Sequence, residues 1–201
     1  MRVLLVHQAY ADNRQPGGVR HFELARRLTA VGHEVTIITG EHCYLSGKPL
    51  RRPYRERYQG IEVVRVPTWP TLGSGLIGKV ASYVSFMLSA LWAGMRCGAH
   101  DVVMGTSPPI FQVAPAWIVA ALRRCPFVLE VRDLWPAFAV DMGVLRNRLV
   151  IRFAERVERF FYARASRIIV NSPAYIDYLK GLGIEPCKLS NITHGSSAIS
   201  I

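Results

Sequence analysis

Residues 2–8 read RVLLVHQ, residues 19–32 read VRHFELARRLTAVG and residues 34–39 read EVTIIT, with Gly17-Gly18 in the polar loop between the first two. The first and third stretches are short apolar runs of the kind that make buried strands. The middle one carries its apolar residues at helical spacing. Together they predict a β-loop-α-β unit whose glycines stand where strand hands over to helix. The first N–H groups of a helix have no intrahelical acceptor, so they bind anions, and glycine lets a phosphate or a sugar come close.

The same alternation continues downstream. Further strands are predicted at 61–67, 101–105, 126–131 and 167–171, and helices at 18–31, 76–97, 111–124, 145–165 and 173–182. Uniformly apolar strands separated by helices imply an α/β fold, a Rossmann-like parallel sheet covered by helices on both faces. At 201 residues the chain is read as a single domain spanning 1–201. Glu41 to Gly60 is the one long irregular stretch, with Tyr44, Tyr54 and Tyr58 among arginines. The residues after Gly183 are read as a last turn and a short strand.

Composition excludes several classes. Cys43, Cys97, Cys125 and Cys187 are widely spaced and form no CxxC pair, so neither a zinc site nor a disulfide framework is indicated and a cytoplasmic setting is expected. No secretory signal opens the chain. Leu76 to Met95 approaches the length of a membrane span, but it contains Lys79, three serines and two glycines, and it is read as a buried or membrane-contacting helix. The net charge of +11 is large for the size, and arginine supplies 21 of the 25 basic residues. Arg51, Arg52, Arg55 and Arg57 cluster in a loop, and a second series runs from Arg146 to Arg167. These are either a solvated surface or an attraction to phospholipid head groups, pyrophosphate or nucleic acid. In the second series Leu149, Phe153, Val157 and Phe160 share one helical face, which is expected to be core.

Ligands of parallel sheets bind beyond the carboxyl ends of the strands, which directs attention to five places. These are Gly17-Gly18, the loop after 39, Thr106-Ser107-Pro108-Pro109, Arg132-Asp133-Leu134-Trp135-Pro136 and Asn171-Ser172-Pro173. There is no GxGxxG and no GxxxxGK[ST], so neither a dinucleotide fingerprint nor a P-loop is present. Asp133 is suited to act as a general base or to stabilise positive charge, and Arg132 to hold a phosphate; the pair is equally suited to cap a loop. Trp135-Pro136 reads as a rigid wall or a platform for a sugar ring, and Ser107-Pro108-Pro109 as a shaped pocket or a plain turn. His21, one turn into the first helix, either reaches the glycine loop or is partly exposed.

The quoted unit, with DVVMGTSPP (101–109), PFVLEVRDLWP (126–136) and RIIVNSPAYIDYLKGLGI (167–184), resembles the amino-terminal domain of family 4 glycosyltransferases, nearest to the bacterial branch that builds envelope polysaccharide such as lipopolysaccharide or capsule. The resemblance covers essentially the whole chain. It implies the amino-terminal half of a GT-B architecture, in which this domain binds the acceptor and a second domain binds a nucleotide-sugar donor. It implies transfer with retention and neither cofactor nor metal. On that analogy Arg132 and Asp133 are the catalytic candidates. Gly17, Gly18, His21, Ser107, Pro108, Trp135, Asn171 and Ser172 are the substrate-binding ones. The partners implied are a donor-binding domain or subunit, a lipid-linked glycan acceptor and the inner-membrane surface, with the protein peripheral to it; no nucleic acid is implied.

The motifs that hold the donor in relatives lie beyond the stretch matched here, and Ile192-Thr193-His194-Gly195-Ser196-Ser197 stands where the linker to a second domain is expected. The expectation is of a chain that lacks the donor-binding half and is inactive alone. The alternative is a non-catalytic sugar- or lipid-binding protein derived from such an enzyme. Turnover of a nucleotide-sugar by the purified 201-residue chain, followed as release of nucleoside diphosphate, contradicts the expectation of inactivity.

Overall fold

The computed structural model describes residues 1–43, 45–50, 52–70, 76–143 and 145–193. Tyr44, Arg51 and the 194–197 part of the expected linker lie outside the described residues. Among the described residues eight strands form one sheet in the order β3-β4-β2-β1-β5-β6-β7-β8. The strands are β1 (Arg2–Val6), β2 (Glu34–Gly40), β3 (Arg55–Tyr58), β4 (Ile61–Val66), β5 (Val102–Ser107), β6 (Phe127–Val131), β7 (Arg167–Val170) and β8 (Leu189–Asn191). All neighbours are parallel except β3 and β4. The helices are α1 (Arg20–Ala30), α2 (Leu76–Arg96), α3 (Ala114–Arg123), α4 (Ala137–Asp141), α5 (Arg148–Arg164) and α6 (Pro173–Gly181).

The period-2 geometry of a strand sends alternate residues to opposite faces. Leu4 and Val6 enter one core with Phe86 and Ala90 of α2, Val119 of α3 and Phe161 of α5. Val3 and Leu5 enter the other core with Phe22 and Ala25 of α1. Both faces are therefore covered, but unevenly: α2, α3 and α5 share one face, and α1 packs over β2 and β4 on the other. Because β1 has β2 on one side and β5 on the other, the direction in which successive strands are added reverses beside it. The loops leaving β1 and β5 diverge there and open a crevice.

Two expectations are corrected. The stretch from Glu41 to Gly60 is not irregular throughout: Arg55–Tyr58 pairs antiparallel with β4, Arg55 opposite Val64 and Tyr58 opposite Ile61. An ion cluster holds it in place. The carboxylate of Asp12, wholly buried, accepts hydrogen bonds from Arg14 (2.6 Å) and Arg52 (2.7 Å), while Glu56 pairs with Arg14 (2.9 Å) and with Arg65 of β4 (2.6 Å). Arg55 meets Glu62 at 3.1 Å. Arg52 and Arg55, part of the cluster read from sequence as either a solvated surface or an attraction to anions, are engaged by carboxylates of the chain itself.

The second correction concerns α5. Leu149 is 75% exposed and Phe153 67%, whereas Ala154, Glu158, Phe161 and Tyr162 are buried. The buried set is displaced by about one residue from the expected one, a rotation of about 100°. Ala154 permits close approach to the sheet, and Glu158 turns inward to accept a hydrogen bond from the Tyr162 hydroxyl (2.8 Å). A charged residue type occupying a core position is what misleads the pattern.

Burial raises the Glu158 carboxyl to a pKa of about 7 against the Tyr162 hydrogen bond, with the charge of Glu155 adding to the rise. In the unfolded chain this carboxyl ionises first, so the stability it contributes is complete below the ordinary carboxylate pKa and is lost as pH rises to about 7. Glu158→Gln removes that loss. Urea denaturation between pH ~4 and ~8 should show the variant gaining on the native protein by up to about 3 kcal/mol as pH rises. A difference that does not change with pH contradicts this assignment.

Candidate functional site

At the carboxyl end of the sheet a cavity of about 500 Å³ opens where β1 and β5 part. His7 and Gln8, the two residues leaving β1, line it, with Pro108 and Pro109 after β5 and Arg132, Asp133 and Trp135 after β6. Gly18 comes from the loop before α1, Gly40 from the end of β2, His42 from the loop after it, and Lys79, Ser82 and Tyr83 from the first turns of α2. The peptide bonds before Pro108, Pro109 and Pro136 are cis. The walls are apolar where Trp135 meets Phe111 edge to face (5.7 Å between centroids) and Phe111 meets Tyr83 (5.4 Å). They are polar along a chain of side chains in which the Gln112 amide donates to the Gln8 carbonyl oxygen and the Gln8 amide to Ser82 Oγ (3.0 Å). Such a surface, with aromatic edges and fixed amide groups, suits a sugar ring and its hydroxyls.

The structure places the sequence candidates in two groups. Gly18, Pro108, Arg132, Asp133 and Trp135 meet on the cavity wall. Gly17, His21, Ser107, Asn171 and Ser172 do not line it. Gly17 has φ +149°, and a Cβ there would lie 2.7 Å from Cβ of Ala11, so glycine is required for the turn itself. Ser107 is buried, and its carbonyl accepts the Arg132 N–H (3.1 Å). The Asn171 amide donates to the Arg132 carbonyl (2.9 Å), tying the end of β7 to the Arg132-Asp133 loop. Ser172 immediately precedes α6, half-buried, and makes no side-chain cap.

His21 is neither at the glycine loop nor partly exposed. It is 1% exposed and its Nε2 lies 2.6 Å from Glu130 Oε2. Glu130, near the end of β6, also accepts from Arg20 Nε (2.9 Å) and from Thr106 Oγ1 (2.8 Å). Burial opposes ionisation of Glu130. The hydrogen bond and charge of His21, then the bonds from Arg20 and Thr106, outweigh it and hold the carboxyl well below its usual range. A carboxylate only accepts, so Nε2 of His21 carries the proton between them. Arg20 reaches on to the carbonyl of Ile192 (3.1 Å), so one carboxylate ties α1, β5 and β6 together and, through Arg20, the last described residues as well.

Arg132 brings a guanidinium to the cavity whose Nε is buried with no hydrogen-bond partner among the described residues. Lys79 adds a second cation and Asp133 a carboxylate. No group of three or more His, Cys, Asp or Glu side chains suited to a metal ion occurs among the described residues. His7, Gln8, Gln112, Lys79 and Tyr83 were not singled out from sequence. Only His7 and Gln8 carried a usable signal, as the residues that leave a central strand at its carboxyl end.

The sequence model of a family described as "Glycosyl transferase 4-like domain" matches residues 17–192. The chain belongs to that family. It is 28% identical over 129 residues to the UDP-N-acetylglucosamine--N-acetylmuramyl-(pentapeptide) pyrophosphoryl-undecaprenol N-acetylglucosamine transferase of Syntrophotalea carbinolica, a match covering 57% of this chain and 35% of that protein. In fold it is similar to Anabaena Alr3699/HepE, solved with UDP and glucose, at a TM-score of 0.58 and 15% identity over 98% of this chain and 45% of that one. It is likewise similar to the lipopolysaccharide outer core galactosyltransferase WaaB, at 0.50 and 12% identity over 100% of this chain and 48% of that one. The fold is that of the amino-terminal domain of GT-B glycosyltransferases. The chain spans about a third of the curated relative's length and under half that of these solved structures.

Removing the charge of Glu130 takes the carboxylate from the buried His21 ring and one charged acceptor from the half-buried Arg20. Glu130→Gln should lower unfolding free energy by about 3 kcal/mol near neutral pH. The depressed carboxyl contributes stability above its unfolded pKa that is lost as pH falls through the folded one, so the deficit should shrink in acid. Urea titrations of both proteins at neutral and acidic pH check this.

Proposed function

We propose that this domain holds the acceptor of a glycosyl transfer, with the acceptor's sugar in the cavity at the carboxyl ends of β1 and β5 and a pyrophosphate link against Arg132 and Lys79. The observation that carries the reading is the Arg132 guanidinium, presented to a cavity lined by aromatic and amide groups with its Nε buried and unpartnered. Arg132 is half-buried, so its charge is only partly hydrated, and a forked guanidinium suits a phosphate. The pyrophosphoryl-undecaprenol in the name of the Syntrophotalea carbinolica relative is the same chemistry. In the complete reaction a nucleotide-sugar donor is held by a donor-binding domain or subunit on the open side of the cavity, and the sugar is transferred with retention. Asp133 stands beside the reacting centre, where a carboxylate stabilises developing positive charge. Gly18, Pro108 and Trp135 shape the wall.

A lipid-linked acceptor requires a membrane, and one face of the domain suits it. Val80, Val84, Leu88, Trp92 and Met95 form an exposed stripe along α2, and Leu149, Val150 and Phe153 are exposed on the first turns of α5. Both helices cover the same face of the sheet. Arg96 stacks on Trp92 (3.7 Å), and Arg148, Arg152 and Arg156 are exposed on α5. Apolar groups among cations suit an anionic phospholipid surface. No described helix is long and apolar enough to cross a membrane, so this face would hold the protein peripherally, at the inner-membrane surface.

Two measurements test the reading. Calorimetry with farnesyl-pyrophosphoryl-N-acetylglucosamine should give binding that Arg132→Ala weakens by about tenfold or more, the loss expected for a charged hydrogen bond. Absence of binding by the native chain contradicts the acceptor reading. Binding without turnover even when a donor-binding domain is supplied would favour the non-catalytic alternative. Cosedimentation should show retention on phosphatidylglycerol vesicles and not on phosphatidylcholine vesicles, with Leu88→Ser/Phe153→Ser releasing the protein. Equal indifference to both vesicles contradicts the membrane face.

A further inference from the structure

His7 is the least explained group on the cavity wall. It leaves β1 directly, and its backbone N–H donates to the Ile38 carbonyl (3.0 Å), which places the residue at the point where the sheet opens. The side chain is only 6% exposed, yet it lines the cavity. The His21 ring lies behind it with centroids 4.3 Å apart and planes inclined at 51°. His21 is itself held by Glu130, so the His7 ring is backed by an immobile wall. Its Nδ1 is sealed from solvent and has no hydrogen-bond partner among the described residues.

Burial, then the nearby charges of His21 and Arg132, lower the His7 pKa well below that of an ordinary imidazole, with Glu130 opposing. A neutral imidazole offers one N–H and one lone pair. An anion entering the cavity is drawn to Arg132 and Lys79, whereas a hydroxyl is suited to a neutral ring, since it can both donate and accept. The cations and the neutral ring thus suit different groups of one substrate.

We propose that His7 is a substrate-contacting residue that hydrogen-bonds a hydroxyl of the acceptor's sugar, with His21 and Glu130 as positioning residues behind it. The assignment rests on the acceptor reading of the cavity given above. Among the other described uncharged groups of the wall, the Gln112 amide is taken by Gln8, the Gln8 amide by Ser82 Oγ and His42 Nδ1 by Thr68 Oγ1 at 2.9 Å, whereas His7 Nδ1 has no partner.

The test compares two probes, farnesyl-pyrophosphoryl-N-acetylglucosamine and farnesyl pyrophosphate, on the 201-residue chain. Calorimetry should show His7→Phe losing about tenfold or more in affinity for the sugar-bearing probe and little for the bare pyrophosphate, with His7→Gln recovering most of the loss. In the native protein, nitrogen-15 resonances of the His7 imidazole should move with the sugar-bearing probe and not with farnesyl pyrophosphate, a readout that stands even if His7→Phe fails to fold. Equal losses for both probes, no loss for either, or an unmoved imidazole overturns the role of His7 while leaving the acceptor reading in place. Failure of the native chain to bind either probe overturns both.

Discussion

The buried carboxylate of Glu130 organises the crevice on which every functional proposal depends. It sits near the end of β6, receives hydrogen bonds from Arg20, His21 and Thr106, and so joins the start of α1 to the ends of two central strands. A charge in so dry a place is stable only when nearly all its lone pairs are used. The consequence is geometric as well as energetic. With His21 pinned, the ring of His7 has a fixed backing, and the glycine loop that precedes α1 cannot drift away from the strand ends. An apolar core alone could hold the sheet and the helix together but would leave their relative rotation softer than a binding site tolerates.

A second buried carboxylate, Asp12, does comparable work at the other end of the same loop. It gathers Arg14 and Arg52, while Glu56 holds Arg14 and Arg65, so the added antiparallel strand β3 and the segment before it are anchored to the loop that follows β1. These three arginines are therefore not free surface charge. The arginines of α5 are different: those at 148, 152, 156 and 159 are exposed beside apolar neighbours. The distinction between internal and available cations separates the part of the charge that holds the fold from the part suited to an anionic partner.

Much of the fold was legible because its elements obey simple periodicities. Residues 2–6, 34–40, 61–66 and 127–131 are strands, as apolar runs bounded by turn residues suggest, and α1 and α3 follow their helical pattern. β3 was illegible because RERY has no apolar alternation; its place comes from pairing with β4 and from ion pairs with distant residues. The face of α5 was misread because the pattern counts Glu158 as polar, although burial and Tyr162 make it a core group. Of the candidate site, Arg132, Asp133, Trp135, Pro108 and Gly18 could be found from strand-end position alone. Gln112, Lys79 and Tyr83 could not, since Lys79 and Tyr83 arrive from α2 and Gln112 from the turn before α3, whose packing no local pattern encodes.

The sequence by itself determined the alternation of strand and helix, the parallel sheet and the set of loops that gather at its carboxyl edge, because each depends on residue type and short-range spacing. Tertiary structure alone decided which of those loop residues share a cavity. It turned His21 inward to Glu130 and left His7 on the wall, although both are histidines near the same loop. That choice follows from the crossing at β1, where divergent connections open a crevice between strands far apart in sequence, and from a buried charge that recruits its partners from across the sheet.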